Sequence, residues 1–99
     1  DGVTLLNILS VCNHDGLVDK GYKCFELFDT YGIIPKIEHY NSILDLLGRC
    51  GKLKEAFAMI NNLSIQLNQV VCNTILRACQ KWGDVDIALH MFKHATEVE

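Results

Sequence analysis

The sequence predicts an all-α fold, a right-handed α-solenoid of three helix-turn-helix repeats containing six helices. Three observations lead there: the chain aligns on itself, its apolar residues recur at helical spacing, and no alternating strand pattern competes. Placing residues 2–36, 37–68 and 69–99 beneath one another brings Gly16, Gly51 and Gly83 to a single offset. The same register stacks Ile8-Leu9 on Ile43-Leu44 and Ile75-Leu76, then Val18 on Leu53 and Val85, then Gly21 on Ala56 and Ala88.

The first helix, 3–14, follows from Leu5, Ile8, Leu9 and Cys12, and Gly16 supplies the residue tolerant of positive φ where it must end. The second, 18–31, carries Val18, Gly21 and Cys24-Phe25, has Asp19 near its start, and must stop before Pro35. Tyr40, Ile43, Leu44 and Leu47 predict the third over 38–49, closed by Gly51. Leu53, Ala56 and Met59-Ile60 predict the fourth over 53–62, with Lys54 near its start and Asn61-Asn62 and Asn68 as punctuation after it. Cys72, Ile75, Leu76 and Cys79 give the fifth, 69–81, before Gly83. Val85, Ala88 and Met91-Phe92 give the sixth, 85–97, with Asp86 in its first turn. Helix pairs this short cannot bury an apolar face alone, so neighbours must stack into a continuous core. Neither end carries a polar capping helix, which implies a segment of a longer array.

Composition narrows the class further. With 49% hydrophobic and 21% charged residues the chain is expected to fold as one unit. A formal charge of −3 offers phosphate no global attraction, which counts against a non-specific DNA or membrane binder. No apolar run approaches the roughly 18 residues of a membrane span. The five cysteines, Cys12, Cys24, Cys50, Cys72 and Cys79, include no CxxC pair and leave one over, so buried reduced thiols in an intracellular compartment are expected.

The words of the sequence are more specific than its period. Val3-Thr4-Leu5-Leu6 with Leu9-Ser10-Val11-Cys12-Asn13-His14-Asp15-Gly16-Leu17-Val18 resembles the long-type repeat of plant-organelle pentatricopeptide repeat proteins. Glu38-His39-Tyr40 with Asp45-Leu46-Leu47-Gly48-Arg49-Cys50-Gly51-Lys52-Leu53 is similar to the short-type repeat of that subclass. Val70-Val71, Leu76-Arg77-Ala78-Cys79 and Gly83-Asp84-Val85 resemble the extension repeat that closes such arrays. The resemblance covers essentially the whole chain, departing where Ser64 and Leu67 replace common prolines and Cys72 a common tryptophan. It implies sequence-specific binding of single-stranded RNA in a mitochondrion or plastid, as part of an RNA editing (cytidine-to-uridine) or processing factor. Editing cofactors or a deaminase are the implied protein partners. No cofactor, membrane or small-molecule substrate is implied, and the H-x-E and C-x-x-C elements of a zinc deaminase are absent from this chain, so it is read as non-enzymatic.

In the family, a residue early in the first helix and the last residue of the repeat together select one base. These correspond to Asn41 and Asn68 in the second repeat, a pair resembling a pyrimidine reader, and to Leu6 and Lys36 in the first. Asn73 matches in the third, where the partner falls beyond Glu99. Val3, Glu38 and Val70 share an offset and are expected to flank the bases, although ordinary packing explains a valine there equally well. His14, Arg49 and Lys81 recur just before each turn, where they would meet phosphates or simply answer the helix dipole.

Competing constellations are weaker. His90 and His94 stand four apart without a third metal ligand, Asp84, Asp86, Glu97 and Glu99 read as solvated helix ends, and Trp82 reads as a wedge between helices. Two other functions remain open: a helical scaffold of tetratricopeptide type that holds a protein partner, and a docking platform for an editing deaminase.

Overall fold

The computed structural model describes residues 1–63 and 68–97, with the side chains of 94–97 outside the description. Six helices account for nearly all of it: α1 (Gly2–Asp15), α2 (Val18–Thr30), α3 (Ile37–Arg49), α4 (Leu53–Asn62), α5 (Gln69–Trp82) and α6 (Val85–Glu97). No strand is present among the described residues. Consecutive helices form three hairpins, and each turn contains the glycine that the self-alignment singled out. Gly16, Gly51 and Gly83 have φ of 68°, 76° and 71°, the left-handed conformation that lets the chain leave one helix and enter the next. The longer connection from α2 to α3 uses Gly32, with φ 65°, ahead of Pro35.

The hairpins stack side by side as a solenoid. The leading helices form a continuous row, α3 packing against α1 on one side and α5 on the other. Along the outer row, Tyr22 on α2 donates from its hydroxyl to Glu55 on α4 at 2.9 Å, and the Phe57 ring on α4 lies 5.6 Å from the His90 imidazole on α6. Leu5, Leu9 and Cys12 of α1, Ile43, Leu44, Leu46 and Leu47 of α3, and Val71, Ile75 and Cys79 of α5 are all buried in one cluster. Phe28 and Met91 join it from α2 and α6.

Polar ties cross between hairpins and help to set their spacing. His39, buried on α3, accepts from the Lys36 backbone N–H through Nδ1 at 2.9 Å, so the ring proton lies on Nε2, 2.8 Å from the Gly2 carbonyl on α1. Its ring also meets the Phe28 face edge-on at 4.7 Å. Between the second and third hairpins, Trp82 donates from Nε1 to the Gly48 carbonyl at 2.8 Å while its ring lies against Gly51. The cysteines are all unpaired, and burial raises the thiol pKa of Cys24, Cys72 and Cys79. Cys50 departs from the expected full burial: it caps the C-terminus of α3, and only part of it is covered as its thiol reaches toward the Gly16 carbonyl.

α3 and α5 approach closely at Gly48, where a Cβ would stand 2.8 Å from the Ala78 Cβ, an atom fixed rigidly to the α5 backbone. Gly48→Ala should therefore lower stability by about 1–3 kcal/mol, since overpacking outweighs the roughly 1 kcal/mol of helix propensity gained. Urea unfolding monitored by circular dichroism measures it; a stabilised variant would show that α3 and α5 are not in this contact.

Candidate nucleic-acid interface

The side-by-side row of α1, α3 and α5 brings several of the predicted reader positions to the junctions between hairpins. At the first junction Val3, Leu6, Lys36 and Glu38 line one cleft of about 430 Å³ together with Gly2 and His39. The chain folds that way because His39 holds both rims: its ring ties the Lys36 backbone, which opens α3, to the first turn of α1. Lys36 and Glu38 are exposed on the rim, Leu6 is half-buried, and Val3 is exposed on α1.

At the second junction the two asparagines are both anchored to α5. Asn68 is its N-cap and accepts from the Val71 N–H at 2.9 Å, which satisfies a helix-end donor and engages the side-chain oxygen. Asn41, half-buried on α3, lies 3.0 Å from the Thr74 hydroxyl. The anchors, Val71 and Thr74, are three residues apart, a rise of roughly 4.5 Å along the helix. Asn73 is exposed one position earlier and accepts from the Gln69 side chain at 3.1 Å; Val70 is exposed in the first turn.

The three basic positions have unequal surroundings. His14 is exposed with Nδ1 3.2 Å from the Asp15 carboxylate. The Arg49 Nε lies 3.3 Å from Asp45 Oδ2, and the same oxygen accepts from the Asn13 amide at 2.9 Å, crossing from α1 to α3. Lys81 reaches the Arg49 carbonyl at 3.5 Å and sits 5.1 Å from the Trp82 ring centroid. Arg49 and Lys81 are thus neighbours across the second junction, while His14 and Arg49 each face a carboxylate that offsets part of their attraction for phosphate.

His39, Thr74, Asn13 and Trp82 are the junction residues that sequence patterning does not mark as polar ties. Only Thr74 leaves a trace there, because Ser42 occupies its offset in the preceding hairpin. Among the rejected constellations, His90 packs on Phe57, Asp84 caps α6 by accepting from the Ile87 N–H at 3.0 Å, and the side chains of His94, Glu97 and Glu99 lie outside the described residues.

On the outer row, Tyr22 has its pKa pushed up from 10.0 to about 12, first by burial and then by the hydrogen bond to Glu55 and the charge it carries. Between pH 10 and 12 the unfolded chain loses this proton while the folded chain keeps it, so stability is full below pH 10 and falls as pH rises through that window. Tyr22→Phe should flatten the decline, as read by thermal unfolding across the alkaline range; an unchanged slope would remove Tyr22 as its source.

Comparison with known proteins adds the following. Residues 38–63 match the model of the "PPR repeat" and residues 53–99 that of the "Pentatricopeptide repeat domain". A pentatricopeptide repeat-containing protein of Arabidopsis thaliana is 40% identical over the full chain, which spans 18% of that relative. A second from the same plant is also 40% identical over the full chain, here 12% of the relative. A third, whose name carries the label mitochondrial, is 40% identical over 89% of this chain and 14% of its own length. The chain therefore corresponds to between 12% and 18% of these curated relatives.

Proposed function

The chain belongs to the pentatricopeptide repeat family, whose members are generally organellar RNA-binding factors, and from that premise we propose that it binds single-stranded RNA in a sequence-specific manner as a segment of an organellar editing or processing factor. The observation that supports this reading is the side-by-side row of leading helices, in which the positions proposed to read bases recur at one offset. Units 2–36, 37–68 and 69–99 would each address one nucleotide. Leu6 with Lys36, Asn41 with Asn68, and Asn73 would supply the base contacts, flanked by Val3, Glu38 and Val70. An asparagine offers both donors and an acceptor to a base edge, whereas Leu6 offers neither, so selectivity would concentrate at the second unit. His14, Arg49 and Lys81 would carry the phosphate contacts. The order of long, short and extension units favours the plant-organelle subclass that serves cytidine-to-uridine editing, with the chemistry performed by a deaminase outside this segment. A mitochondrial destination is supported by the labels of two relatives.

The acidic balance and the carboxylates beside His14 and Arg49 favour a second reading, in which this segment docks an editing enzyme and touches RNA little. Fluorescence anisotropy with short oligoribonucleotides separates the two. RNA reading is expected to show a base preference that Asn41→Ala changes, and an affinity whose log–log salt slope is about −2 for three phosphate contacts. Binding that ignores both base and salt would contradict it and leave the docking reading.

A further inference from the structure

Thr74 is a buried polar side chain on α5, with its hydroxyl oxygen 3.0 Å from Asn41 Oδ1 on α3 and 2.9 Å from the Val70 carbonyl one turn earlier. A threonine hydroxyl carries one hydrogen, so it can donate to only one of these oxygens at a time. The Val70 carbonyl already lies within α5, where the backbone N–H four residues on is its regular partner. Asn41 Oδ1 has no such backbone partner, and leaving a half-buried amide oxygen unpaired is the costlier alternative. The hydrogen therefore belongs on the bond to Asn41.

We propose that Thr74 is a positioning residue that acts on RNA recognition from the neighbouring hairpin: by donating to Asn41 Oδ1 it turns the Asn41 amide nitrogen toward the inner surface, so that the second unit presents N–H donors to the base. This inference rests on the base-reading role proposed for Asn41. Its chemical consequence is a preference for base edges rich in acceptors, such as O2 and N3 of cytosine or O2 and O4 of uracil, over the exocyclic amino group of adenine. Without the hydroxyl the amide would rotate between its two orientations and offer either a donor or an acceptor. The first junction provides a built-in contrast. Ser42 stands at the offset of Thr74, but the reader position it follows is Leu6, which has no amide to orient.

The test combines two measurements on the chain carrying Thr74→Val, which keeps the shape and removes the hydroxyl, and Thr74→Ser, which restores it. In the first, affinities for oligo(C), oligo(U) and oligo(A) nonamers are compared. Thr74→Val is expected to shrink the pyrimidine-to-adenine ratio about fivefold, the weight of one neutral hydrogen bond, and Thr74→Ser to recover it. In the second, the Asn41 side-chain NH₂ resonances are followed by NMR without RNA. They should exchange freely with solvent in the parent chain, shift in Thr74→Val and return in Thr74→Ser. If Asn41→Ala abolishes the base preference while Thr74→Val changes neither readout, the positioning role is overturned and base reading stands. If Asn41→Ala leaves the preference intact, base reading itself fails and the NMR readout alone judges the Thr74–Asn41 contact. Protection of the Asn41 NH₂ by Thr74 would also overturn the proposal, since it reverses the direction of the bond.

Discussion

No single hairpin of this chain can cover its own apolar surface, and everything else in the structure follows from that constraint. The middle hairpin shows the solution: Ile43, Leu44, Leu46 and Leu47 are fully buried because they have a hairpin on each side. Of their register partners in the flanking hairpins, Ile8 is 41% exposed and Leu76 36%, while Leu9 and Ile75 stay buried. Full burial of such a side chain contributes roughly 1.5–3 kcal/mol, so stacking, rather than the helix propensity of ten to fourteen residues, holds the array together. Close stacking in turn demands small residues where leading helices meet, which accounts for Gly48 facing Ala78.

From the stacking comes the inner surface. Once α1, α3 and α5 lie in a row, residues at one offset recur along that surface at the spacing of the helices, and the junctions between hairpins become clefts lined from both sides. The polar ties at these junctions have a double role. His39 ties the first junction and also lines the cleft beside Lys36; Asn68 caps α5 and also stands at a proposed reader position. Residues that hold the hairpins together thus coincide with the positions proposed for recognition, and a substitution at the junctions will seldom disturb packing alone.

The backbone was largely legible in the sequence. Turn glycines at a single offset and apolar residues at helical spacing placed all six helices within a residue or two of their ends, because both signals are local consequences of chain geometry. The offsets of the candidate reader residues were equally legible, and the structure gathers Val3, Leu6, Lys36 and Glu38 around one cleft. What the pattern did not contain was partner identity. That His39 reaches the Gly2 carbonyl, that Thr74 answers Asn41, and that Asn13 donates to Asp45 are facts of approach between neighbouring hairpins. Apart from the hydroxyl shared by Ser42 and Thr74 at one offset, these polar ties have no periodicity to betray them. Cys50 illustrates the converse limit: its apolar character suggested full burial, but its place at a helix end leaves it partly open.

On the proposed function, the row of leading helices is the surface that meets RNA. A single-stranded oligoribonucleotide bearing a nitroxide label tests it directly through paramagnetic broadening of backbone amide signals. Broadening centred on α1, α3 and α5, from their opening turns to the ends that carry His14, Arg49 and Lys81, is the result this structure predicts. Broadening centred on α2, α4 and α6, with the leading helices untouched, would contradict it.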